Sequence, residues 1–102
     1  GSVHALSQTG EFVIASNTGS QLPHIVFTSP NLLFVVGTQK IVPTLEDAMK
    51  RLEEYVVPLE DQHMKKLYGV GTMQSKTVIF KYENPMMARK VRMILVQEKL
   101  GF

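Results

Sequence analysis

The chain contains no cysteine. Disulfides, zinc-thiolate sites, iron–sulfur ligation and cysteine nucleophiles are therefore excluded within it. No apolar run approaches the roughly 20 residues that span a bilayer. No basic start followed by an apolar stretch marks a signal peptide. Neither an HExxH nor a GxSxG pattern occurs, which removes two common metalloprotease and hydrolase signatures. A net charge of +2 is too small to argue for nucleic acid. There is no internal repeat, low-complexity tract or linker, and 102 residues make one domain, 1–102. With 44% apolar and 20% charged residues, composition predicts a soluble cytoplasmic domain and is silent on activity.

Charge is also scarce along the first third. From Gly1 to Gln39 the only charged side chain is Glu11, and all 11 basic residues lie from Lys40 onward. A stretch so poor in charge cannot be solvated on both sides. It is expected inside the fold or under a partner.

Val3 to Leu6 and Glu11 to Ser16 are rich in strand formers. The intervening Ser7-Gln8-Thr9-Gly10 makes them a β-hairpin. Leu32 to Val36 is a continuous apolar run ended by Gly37, the pattern of a parallel strand covered on both faces. Thr44 is an N-cap with Asp47 three residues on. Leu45, Ala48, Met49, Leu52, Tyr55 and Val56 form one helical face. Pro58 should kink or restart the helix, and a second piece should run from Leu59 to Tyr68 with Gly69 as its stop. Thr77 to Tyr82 and Val91 to Val96 read as strands, with a loop around Pro85 between them. Strands alternating with helix and loop predict an α/β layered fold with a mainly parallel or mixed sheet.

The candidate site is the turn Asn17-Thr18-Gly19-Ser20-Gln21. It follows a strand and leads into an ambiguous segment in which Pro23 could sit in a first helical turn. Such a turn offers backbone N–H groups, a helix dipole and two hydroxyls to a phosphate or carboxylate. Its plainer role is a helix cap. Lys40, the first basic residue, also follows a strand and could face the same anion; its plainer role is a solvated loop lysine. His4, His24 and His63 lack metal-ligand spacing, so no metal site is expected. His4 reads as a hydrogen-bonded structural residue, and His24 lies nearest the turn. Arg89, Lys90 and Arg92 form a basic cluster without interleaved aromatics, which reads as solvated charge beside a strand. Met86 and Met87 in a loop suit a contact surface. No acid, base and nucleophile set is recognisable, so catalytic activity stays open.

Several phrases together resemble the LUD domain of LutC-type lactate-utilisation proteins. They are GSVHA at Gly1 to Ala5, VIASNTGSQLP at Val13 to Pro23 and LLFVVGTQKIV at Leu32 to Val42. LEEYVVPLE at Leu52 to Glu60 and ILVQEKLGF at Ile94 to Phe102 complete the set. Their order and spacing match across essentially the whole chain, whereas ENPMMAR at Glu83 to Arg89 fits loosely. The resemblance is to the C-terminal half of a domain about twice as long. It implies the NagB/RpiA/CoA-transferase-like α/β fold and a bacterial or archaeal cytoplasmic origin. It also implies a non-redox component of an L-lactate oxidation system, with no cofactor in this chain and iron–sulfur clusters only in partner proteins. The likeness strengthens the anion-binding reading of Asn17 to Gln21, since α/β sheets bind ligands at the carboxyl ends of strands. The alternative is a structural or oligomerisation module with no ligand of its own. Half a domain leaves a sheet edge and an apolar face free, so a homo-oligomer is expected, with neither nucleic acid nor membrane as partner.

Overall fold

The computed structural model describes residues 2–68 and 75–101. Two sheets and one helical layer make up the fold. Strands β1 (Ala5–Ser7) and β2 (Phe12–Ser16) form the expected hairpin. β3 (Asn31–Gly37) follows a π-helical turn at His24–Thr28, and β4 (Ile41–Val42) follows a short 3-10 turn. Helices α1 (Leu45–Arg51) and α2 (Val57–Tyr68) come next, then β5 (Lys76–Phe80) and β6 (Lys90–Val96). One sheet has the order β4-β1-β2-β5, parallel between β1 and β4 and antiparallel elsewhere; β3 and β6 form a separate parallel pair. The α/β layering and mixed pairing expected from the sequence are both present.

Alternation along β1 and β2 sorts the two faces. Leu6 and Ile14 pack toward Phe34 and Val36 of β3, with Val3 and Ile25 closing that core. Ala5 and Val13 point the other way, against Ala48 of α1, and Ala15 meets Leu52 and Val56. Alanine on both sides of the sheet–helix contact lets the helix approach closely. Phe12 bridges the layers, stacked on Phe80 of β5 at 4.7 Å and edge-on to Phe34 at 5.3 Å.

Local chemistry sets the boundaries. Glu11 sits at the hairpin turn, where its carboxylate accepts from Thr9 Oγ1 at 2.7 Å and from Ser7 Oγ at 3.4 Å. The lone charge of the first third therefore holds a turn together. Thr44 Oγ1 accepts from the Asp47 N–H at 3.2 Å and donates to its carboxylate at 2.8 Å, the cap read from the sequence. The α-helix restarts at Pro58, as expected. A π-helical stretch, Leu52–Val56, widens the backbone before it, and α2 starts with Pro58 in its first turn. That position tolerates a missing N–H, while the wider turn relieves the ring's clash with the preceding carbonyl.

Three expectations are corrected. β3 is buried on one face only, because Leu33 and Val35 are 50% and 38% exposed. Its pairing is parallel as expected, but within the described residues no layer covers its outer side. Tyr55 is 40% exposed rather than on the inner face, since the π-helical stretch shifts the register and the Arg51 guanidinium lies over its ring at 4.7 Å. Arg89 is no solvated charge: its side chain is 4% exposed and its guanidinium is bonded to backbone carbonyls of the His24–Thr28 turn and its flank. Lys90 and Arg92 are both exposed, on β6 itself. The expected stop at Gly69 lies outside the described residues.

Candidate functional site

The candidate turn, Asn17 to Gln21, comes directly after β2. Ser16, the last residue of that strand, is buried, and its hydroxyl donates to Gln21 Oε1 at 2.8 Å while accepting from the Gly19 N–H at 2.8 Å. Gly19 has φ +84, a left-handed conformation that costs glycine little. Thr18 Oγ1 donates to Ser20 Oγ at 3.0 Å and accepts from the Ser20 N–H at 3.3 Å. The Gly19 and Ser20 amides are thus engaged inside the turn itself. The turn leads into one irregular helical turn, His24–Thr28, which has no side-chain cap. The segment still presents the Asn17 side chain, which is exposed, and the half-buried side chain of Gln21.

Asn17, Thr18 and Gln21 line a cavity of ≈ 290 Å³ together with His4, Glu60 and Met64. Gly19 and Ser20 are not part of its wall. A second cavity of ≈ 250 Å³ is walled by Ser2, His4, Lys40, Val56, Glu60 and Gly101. His4 and Glu60 belong to both, so the two hollows are neighbours across these side chains. The fold therefore brings Lys40 to one side of His4 and Glu60, and Asn17, Thr18 and Gln21 to the other.

Lys40 is buried, with 7% of its surface exposed. The 3-10 turn Thr38–Lys40 carries the chain from β3 to the edge strand β4, and this places the lysine beneath the N-terminal segment. Its Nζ donates to Ser2 Oγ at 3.3 Å, and Gly101 of the C-terminal tail lies against it. Gln39 anchors that tail by donating from Nε2 to the Leu100 carbonyl at 2.7 Å. Among the described residues no carboxylate pairs with Lys40. Burial lowers its pKa below 10.5, and the nearby Arg51 cation adds to the effect.

His4 precedes β1. Its Nδ1 accepts from the Ala15 N–H at 3.0 Å, so in the neutral ring the proton sits on Nε2. Burial lowers its pKa below 6.5, with a smaller contribution from Lys40. The imidazole is thus both a structural acceptor and a neutral donor at the cavity wall. His24 is exposed on the irregular turn and His63 is exposed on α2; neither lines these cavities. Among the described residues no group of three His, Asp or Glu side chains is placed to hold a metal ion.

Glu60 carries no site signal of its own in the sequence, and His4 reads there only as a structural residue. Only its spacing marks Glu60. Val56, Glu60 and Met64 recur every fourth residue and form one helical stripe, and a carboxylate on an otherwise inward stripe needs a reason. The stripe crosses the restart of the helix at Pro58, which hides its periodicity in the sequence. His4 meets Lys40 only through the pairing of β1 with β4, which no local pattern reports.

Among the described residues no helix is long and apolar enough to cross a membrane. No curated protein and no solved structure matches the chain. The family model of the LUD domain matches residues 1–95, the stretch that holds the hairpin, the Asn17 to Gln21 turn, Lys40, Glu60 and nearly all of β6. The chain belongs to the LUD domain family.

Proposed function

We propose that this LUD-domain chain serves lactate utilisation as a cytoplasmic, non-redox component that binds a small organic acid anion. The single observation that carries this reading is a buried lysine without a carboxylate partner among the described residues, lining a cavity with a histidine and a glutamate. A buried cation is costly unless something compensates it. A bound carboxylate on Lys40 would supply that compensation. The His4 Nε2–H and the Glu60 carboxylate add a donor and an acceptor for a neighbouring hydroxyl or carbonyl. Asn17, Thr18 and Gln21, on the far side of His4 and Glu60, suit the polar end of a larger ligand. The cavity volume suits a ligand of a few heavy atoms better than a whole nucleotide. Iron–sulfur proteins of the same oxidation system are the natural partners for the electron transfer that this chain, lacking cysteine, has no thiolate ligands to support.

The test is a thermal-shift screen of the full chain against lactate, pyruvate, sugar phosphates and CoA esters. A ligand at 100 times its dissociation constant adds about 2.7 kcal/mol. Each kcal/mol moves the midpoint of a domain this size by about 4–8 °C. A shift with the small acids that is lost in Lys40→Met supports the reading; unchanged midpoints with every compound overturn it.

A second reading is favoured by the outer face of β3 and β6. Leu33, Val35 and Ile94 are each 38–50% exposed on one face of a two-stranded parallel pair, an arrangement that is normally covered. In this reading the chain is an oligomerisation module and the face packs on a second copy. Light scattering decides it: a monodisperse monomer removes this reading, and a dimer dispersed by Val35→Lys supports it.

A further inference from the structure

We infer that Lys40 is a covalent capture site for small 2-oxo acids, forming an imine through its Nζ with the carbonyl carbon of a ligand such as pyruvate. This rests on the small-acid reading above and narrows it from anions in general to those carrying a carbonyl beside the carboxylate.

Imine formation sets definite conditions on a lysine. The amine must be held away from bulk water, must lose its proton readily, and must meet an acid–base group and enough space for the carbonyl. Lys40 meets each condition. It is buried, yet it lines a cavity of ≈ 250 Å³ rather than close-packed core. Its Nζ has a hydroxyl neighbour, Ser2 Oγ at 3.3 Å, and no carboxylate ion pair among the described residues that would fix the proton. Burial and the Arg51 charge both favour the neutral amine. Glu60 supplies the acid–base group on the same wall, and the His4 Nε2–H supplies a neutral donor for the ligand carboxylate.

The step balances without any further reagent. The Lys40 ammonium gives its proton through cavity water to Glu60, which lines the same wall without forming an ion pair with it, and this frees the lone pair. The nitrogen adds to the carbonyl carbon, the carbonyl pair moves to oxygen, and the nitrogen passes its surplus proton to that oxygen. The proton on Glu60 then joins the hydroxyl as it departs, and the nitrogen lone pair forms the C=N bond. Ammonium and carbonyl become iminium and water, and nothing is oxidised or reduced. The iminium keeps the positive charge of Lys40, so the ligand carboxylate remains neutralised inside the cavity.

The test is borohydride trapping. The full chain is incubated with pyruvate, reduced with sodium borohydride, digested and mapped by mass spectrometry. One reduced adduct on Lys40 is expected, with about tenfold more label there than on the exposed Lys50, because a buried ammonium gives up its proton more readily than a solvated one. Lactate binds without a carbonyl and should protect Lys40 from labelling. Mapping uses the unaltered chain, so the result does not depend on a variant that folds. Label spread evenly over surface lysines overturns the inference. A thermal shift with pyruvate but no adduct also overturns it and leaves the small-acid reading standing. Neither a shift nor an adduct removes both.

Discussion

The guanidinium of Arg89 donates through Nη2 to the Ile25 carbonyl at 2.6 Å, across 64 residues of sequence. Its Nε donates to the Ser29 carbonyl at 3.1 Å, Nη1 reaches the Val26 carbonyl, and Glu83 lies 3.6 Å away as an ion pair. One side chain thereby satisfies two carbonyls of the irregular His24–Thr28 turn and one on its flank, and ties the turn to the segment leading into β6. Ala88, at φ 53, turns the chain so that Arg89 can reach inward.

Arg89→Ala should therefore cost about 2–3 kcal/mol, since hydrogen bonds from a charged group are the stronger kind and their loss leaves carbonyls unpaired. Arg89→Lys should recover only part of this, because a single ammonium cannot replace the planar fork. Urea denaturation of the three proteins checks both. An unchanged midpoint for Arg89→Ala would show that the turn holds itself.

Gly19→Ala should destabilise the chain by about 1–2 kcal/mol through the left-handed conformation alone. The added Cβ also comes to 2.8 Å from Lys76 Cδ, which the flexible lysine can relieve by moving. Calorimetry should show a lower midpoint with the unfolding still cooperative. Asn at this position tolerates positive φ better and should lose less than Ala.

Thr44→Ala should cost about 1 kcal/mol, the usual value of an N-cap, and Thr44→Ser should be close to neutral. Chemical denaturation reads the difference directly. The effect should not touch ligand binding, as Thr44 caps α1 and lines neither cavity.

Stability should fall as the solution is acidified below pH 6.5. The folded-state pKa of His4 lies below its ordinary 6.5, so in that window the unfolded chain binds more protons than the folded one. Unfolding is then favoured increasingly as pH drops toward the folded-state pKa. The thermal midpoint of the native chain, followed from pH 7.5 downward, should decline more steeply than that of His4→Asn, whose amide oxygen can still accept from Ala15. Parallel curves for the two proteins would exclude His4 as the source.

Much of the architecture was legible because its determinants are local. The hairpin comes from two strand-forming runs around Ser7 to Gly10. The α1 start comes from a hydroxyl with a carboxylate three residues on. β3, β5 and β6 come from short apolar runs between turn residues. Local signals also misled. The apolar run at β3 suggested two covered faces, yet its outer residues stay exposed among the described residues. Charge at Arg89 suggested solvent, yet it faces backbone carbonyls.

The sequence by itself determined the hairpin, the strands β3, β5 and β6, where α1 is capped, and that cysteine-based chemistry is absent, because each depends on residue type or short-range spacing; the edge strand β4 and the irregular His24–Thr28 turn were not legible in it. Only the tertiary structure decided that Lys40 is buried, that it shares a cavity with His4 and Glu60, and that Asn17, Thr18 and Gln21 stand across those two side chains. Pairing β1 with β4 and setting the first turn of α2 beside the N-terminal segment brings these groups together. That juxtaposition comes from burying the two faces of one sheet at once, a balance struck over the whole chain and written in no single stretch of it.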